Sequence, residues 1–294
     1  MFDFRYHVAS LTAVFLALVI GILVGVGIAD RGLLDQAKKT LLEQRVAQLR
    51  TKLDQASKRS ALADREQRAA ELYVKQTYPV LMRNRLRNKR IAVVYIGPDH
   101  NHVQQSIDGL LTDSGAEQIR LRALKMPIDP STVDQRLASQ TDGQSYLGKG
   151  KLESLGEALG KEFVDGGDTP LWDALTGTIV EHTVGDGKEP VDGVIIARTA
   201  PPQKGGTSKF LLGLYKGLSA AGLPAVGVEA TDTKPSAVST YRRGGLSSVD
   251  DVDTQTGQLG VVLLLAGAPS GQYGLKPTAK QSLPLFPIVA RPRG

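Results

Sequence analysis

The stretch "GPDHNH", Gly97–His102, gathers residue types that could do chemistry. Asp99, His100 and His102 offer one carboxylate oxygen and two imidazole nitrogens, a donor set that suits Cu(II) or Zn(II). The same residues also read as an exposed loop that opens a helix, with Asp99 or Asn101 as its cap. A borderline metal wants three or four fixed ligands, which this hexapeptide barely supplies. A second cluster, "SSVDDVDT", places Asp250, Asp251 and Asp253 ahead of the very apolar "GQLGVVLLLAG". Carboxylates there can cap the free N–H groups of a helix and suit its dipole. A hard cation would need further oxygen ligands. "GQSYLGKG" matches a phosphate-loop pattern, but Gly150 stands where Ser or Thr would reach magnesium, and no buried strand precedes it. There is no cysteine and no GxSxG elbow, so no nucleophile–base pair is legible and an enzyme is disfavoured.

An α/β domain is expected to position these clusters. "RIAVVYIG" (90–97) is a short, apolar, β-branched run before Gly-Pro, as a buried strand should be. "NHVQQSIDGLLTDSGA" reads as a helix, "EQIRLRAL" as a strand, and helices are expected near 131–138, 151–163 and 171–175. "VDGVIIART" and "LPAVGVEAT" are further strands, separated by the helix "SKFLLGLYKGLSAAG". Strands alternating with helices predict a doubly wound, mainly parallel sheet covered on both faces. Ligands of such sheets sit at the carboxyl ends of the strands, where "GPDHNH" begins.

Ahead of that domain the composition changes twice. "SLTAVFLALVIGILVGVGIAD" (10–30) carries no charge before Asp30, although the mean hydropathy of the whole chain is −0.13. A helix needs roughly 20 apolar residues to cross a membrane. That length favours an uncleaved anchor over a signal peptide, whose apolar region would be roughly 7–15 residues. "GIA" at 27–29 keeps processing open. Gly21 and Gly25 form a GxxxG that would let two such helices approach closely. From Leu33 to Val74 there is neither proline nor glycine. Leu42 and Leu49 repeat at seven, interleaved with Val46 and Leu53, which is the seam of a coiled coil. A homodimer through this stalk is expected; a lone helix packed back on the domain is the alternative.

The expected organisation is thus a membrane anchor over 1–30, a coiled-coil stalk over 31–88, an α/β head over 89–278 and a Pro-rich, extended tail over 279–294. The formal net charge of +6 is spread along the chain. With aromatic residues at 5% and no recognition motif, nucleic acid is not an expected partner. The basic run "RNRLRNKR" reads as a solvated face, or as a contact for phosphate or acidic polymer.

"FDFRYHVASLTAVFLALVIGILVGVGI", the stalk, "RIAVVYIG" and "SSVDDVDTQTGQLGVVLLLAG…GQYG" together resemble the actinobacterial copper transporter family, named for a mycobacterial copper transport protein, MctB. The resemblance implies a single-pass protein of the cell membrane with an extracytoplasmic body, an orientation that charge counting leaves open. It implies copper transport or efflux, with copper as the metal at issue. Related SteB-like members are linked instead to cell separation, as non-enzymatic partners of cell-wall machinery, so an envelope protein partner is the alternative. Copper handling leans on Cys, Met and His; this chain has none of the first, three of the second and four of the third.

Overall fold

The computed structural model describes residues 4–98 and 101–287. Helix α1, Phe4–Met82, contains both the apolar segment and the heptad segment. Within it His7–Val26 is long and apolar enough to cross a membrane. A Cβ on Gly21 or Gly25 would meet open space, and Leu42, Val46, Leu49 and Leu53 are all exposed.

The chain divides into two compact units, the second starting at Leu72. The last turns of α1 and the turns just beyond it contribute to this unit: Tyr78 and Met82 in the helix, and Leu86 after it, are core residues of the head. The Tyr78 hydroxyl also donates to Gln258 Oε1 at 2.7 Å. Gln281 bridges to Tyr273, and Pro284 is buried, so part of the expected tail completes the head.

Among the described residues the head holds a seven-stranded sheet. Its strands are β1 (Arg90–Ile96), β2 (Glu117–Leu124), β3 (Val180–Val184), β4 (Gly193–Arg198), β5 (Ala225–Val228), β6 (Ser247–Val249) and β7 (Gln272–Tyr273). Their spatial order is β3-β2-β1-β4-β5-β6-β7. All pairs are parallel except β2 with β3. β3, β6 and β7 escape sequence reading because they are short, and β3 is exposed over most of its length.

Alternate residues of β1 feed two cores. Ala92, Val94 and Ile96 pack on one face with α3 (Pro130–Ala138), α4 (Leu152–Asp165), α5 (Pro170–Leu175), α6 (Gly205–Ala220) and α7 (Val238–Arg243). Ile91, Val93 and Tyr95 pack on the other with α2 (Asn101–Ser114) and α8 (Gln255–Leu265). Parallel strands buried on both faces read as continuous apolar runs, which is why "AVVYI" and "GVIIA" were legible.

Helices α4 and α6 approach through glycine. A Cβ on Gly156 would overlap the carbonyl of Phe210, and one on Gly213 that of Glu153. Gly160 and Gly217 face each other in the same way, four residues further along each helix. Both obstacles are backbone, so neither can move aside. Gly213→Ala is therefore expected to lower stability by about 1–3 kcal/mol in denaturant unfolding. Gly109→Ala, at a mid-helix site with open space around it, should raise stability by up to about 1 kcal/mol.

Candidate functional site at the carboxyl edge of the sheet

Strands β4, β5 and β6 each run straight into a charged residue: Arg198, Glu229 and Asp250. All three are buried, at 5%, 1% and 0% exposure. An apolar strand cannot satisfy such groups itself, so the loops beyond must.

Glu229 has its partners. Its Oε1 lies 2.6 Å from Lys276 Nζ, and its Oε2 accepts from the Ala237 amide at 2.6 Å. Lys276 Nζ also donates to the carbonyls of Ala230 and Thr233, at 2.9 and 3.1 Å. One ammonium thus joins the segment after β7 to the segment after β5. Asp250 Oδ1 accepts from the amides of Leu275 and Lys276, at 2.8 and 3.1 Å. That packing requires Gly274, whose φ is +130° and whose missing Cβ would collide with the Asp250 carboxylate.

The aspartate cluster is not the cap of α8. Thr254 is, its hydroxyl accepting from the Gly257 amide at 2.9 Å. Asp251 buttresses that cap, accepting from the Thr254 hydroxyl through its carbonyl oxygen and Oδ2 at 2.9 and 3.1 Å. Asp253 Oδ1 accepts from the amide and hydroxyl of Thr231, both at 2.8 Å. The three carboxylates lie before the helix because β6 ends only at Val249, and they serve neighbouring loops. Burial pushes the Asp251 carboxyl up to about 6, with repulsion from Asp250 and Asp253 adding to it. The Thr254 hydrogen bond and the Lys276 charge pull the other way.

Of the expected metal ligands, Asp99 and His100 lie outside the described residues. His102 is exposed and lines a cavity of about 230 Å³ with Arg198, Thr199, Glu229, Thr233 and Lys234. Among the described residues no group of three or more His, Asp or Glu side chains could hold a metal ion. Arg198, Glu229 and Lys276 were missed by sequence reading. The available signal was a charged residue closing each of two all-apolar strands, "VIIAR" and "AVGVE".

The family model of the copper transport outer membrane protein MctB matches residues 1–284. The chain belongs to this family. No curated protein matches it. The match takes in the apolar segment, the heptads and the head, through Gln281 and Pro284. The family's description and the apolar helix agree on a membrane-associated protein concerned with copper transport.

The carboxyl edge depends on the Lys276–Glu229 pair. Removing one partner strands the other charge in the interior, at a cost of about 3–5 kcal/mol. Lys276→Met is expected to show that loss in thermal or denaturant unfolding. The double variant Lys276→Met/Glu229→Gln should recover most of it.

Proposed function

We propose that the protein is a single-pass component of the cell envelope that works in copper transport or efflux, with its doubly wound head outside the cytoplasmic membrane. The observation that carries this reading is the family match over 1–284, which includes the apolar helix and the head together. Copper titration of the detergent-purified chain tests it. Tight, stoichiometric Cu binding that His100→Ala/His102→Ala abolishes is the expected result, with Asp99 as the third ligand. Copper tolerance of cells carrying that variant should fall while the protein stays folded and membrane-bound. Absence of binding together with unchanged tolerance would overturn the copper role.

A second reading has its own observation. Leu42, Val46, Leu49 and Leu53 form a stripe 45–73% exposed on a single chain, the surface a second copy of the helix would cover. It supports a homodimeric scaffold, with Gly21 and Gly25 in the membrane contact, that binds an envelope protein of the cell-wall or cell-separation machinery. Tethering in a membrane raises effective concentration and favours such pairing. Replacing Leu49 and Leu53 together by Asn should convert dimer to monomer in light scattering of the solubilised chain. A wild-type chain that is already monomeric at high concentration would exclude the seam.

A further inference from the structure

Among the described residues the head buries three arginines, and they are treated differently. Arg120 reaches the carbonyls of Phe163, Gly187 and Glu189 through its terminal nitrogens, although its Nε is unpaired. Arg122 donates to the carbonyls of Leu121, Val184 and Gly185. Both lie in β2 and are spent on holding the chain between α4 and β4. Arg198, only 5% exposed, makes one long side-chain hydrogen bond, from Nη2 to the Pro235 carbonyl at 3.4 Å. Its Nε is buried without a partner. Among the described residues it forms no ion pair. The nearby carboxylate that could serve it, Glu229, is already held by Lys276 and by the Ala237 amide.

A guanidinium carries five N–H donors in a planar fork. Burying its Nε–H without a protein partner is costly, because the lost hydration of that donor is not replaced. The backbone of Arg198 is nonetheless held firmly. Its amide donates to the Tyr241 hydroxyl at 3.1 Å, and that hydroxyl donates to the Val228 carbonyl at 3.2 Å. The fork therefore starts from a fixed point, and it lines the cavity of about 230 Å³ at the carboxyl ends of β4 and β5. Ligands of open parallel sheets bind at that edge.

We propose that this cavity binds an oxyanion, a carboxylate or phosphate group, with Arg198 as the anchor. A planar fork matches either group with two parallel hydrogen bonds. The other polar groups of the lining fit an anion at the mouth. Among the described residues the exposed Lys234 ammonium is in no ion pair and the Thr233 hydroxyl makes no hydrogen bond. Thr199 takes no part, since its hydroxyl donates to the Pro98 carbonyl at 2.6 Å. Asp232, also in the lining, is exposed, so solvent and salt screen its repulsion. The volume admits a small acid, or the charged end of something larger.

The full chain in detergent tests this with inorganic phosphate and with acetate, ionic strength being held constant with sodium chloride. Binding to the folded state should raise the unfolding midpoint, and phosphate should broaden in ³¹P spectra. The stronger of the two responses identifies the group. Arg198→Met should abolish the response, and Arg198→Lys should leave affinity about tenfold weaker or worse. Should Arg198→Met fail to fold, Lys234→Ala and Thr233→Val, both at the rim, are expected to weaken binding severalfold. No response of the wild-type chain to either anion would overturn the proposal. So would a folded Arg198→Met that responds like the wild type, or rim variants that leave affinity unchanged where Arg198→Met cannot be read.

Discussion

Lys276 Nζ is the point on which the carboxyl edge of the head turns. It meets a carboxylate and two carbonyls, each from residues that follow β5. The attraction is strong because Glu229 is wholly out of water, and desolvation would otherwise make that charge intolerable. Everything else at this edge follows from the pair. Glu229 is free to accept from Ala237 and set the start of α7. Asp250 takes the amides of Leu275 and Lys276, the residues whose position the Lys276 side chain helps to fix. The segment after β5 that Lys276 holds walls one side of the cavity, and among the described residues Arg198 there has no ion pair.

The opposite face of the sheet from α8 is governed by a different constraint, distance. Helices of ordinary composition keep their backbones apart. Here four glycines on α4 and α6 remove the side chains between them, so backbone meets backbone. Close approach brings Leu155, Leu159, Phe163, Phe210 and Leu214 into one apolar layer over β1 and β4. Dispersion contacts rise steeply at such separations.

How much of this was legible follows from chain locality. β1, β2, β4, β5 and the helices between them are written as runs, and a run carries its own period. The heptad spacing of Leu42, Val46, Leu49 and Leu53 is likewise a local pattern. β3 and β6 are not, since a half-exposed strand and a three-residue strand have no period to read. Nor is the site. Arg198, Glu229, Asp250 and Lys276 are widely separated in the chain and become neighbours only when parallel strands end side by side. The aspartate cluster was visible, but its role was not, because its partners Thr231, Leu275 and Lys276 lie outside the motif. The glycines of α4 and α6 were visible too, yet a glycine in sequence does not say what passes over it.

The burial of Tyr78, Met82 and Leu86 decides what an envelope protease could do to this protein. Peptide bonds over residues 38–71 lie on exposed helix and outside the unit that holds the sheet. A cut there would shed a head with its core whole, still closed by the Tyr78–Gln258 contact. A cut a few turns later would carry off residues on which β1 and α8 are packed, and release a domain with an open apolar face. The same helix that carries a segment long and apolar enough to cross a membrane is, at its far end, a structural part of the second unit. Shedding and degradation are therefore separated by little more than ten residues of sequence.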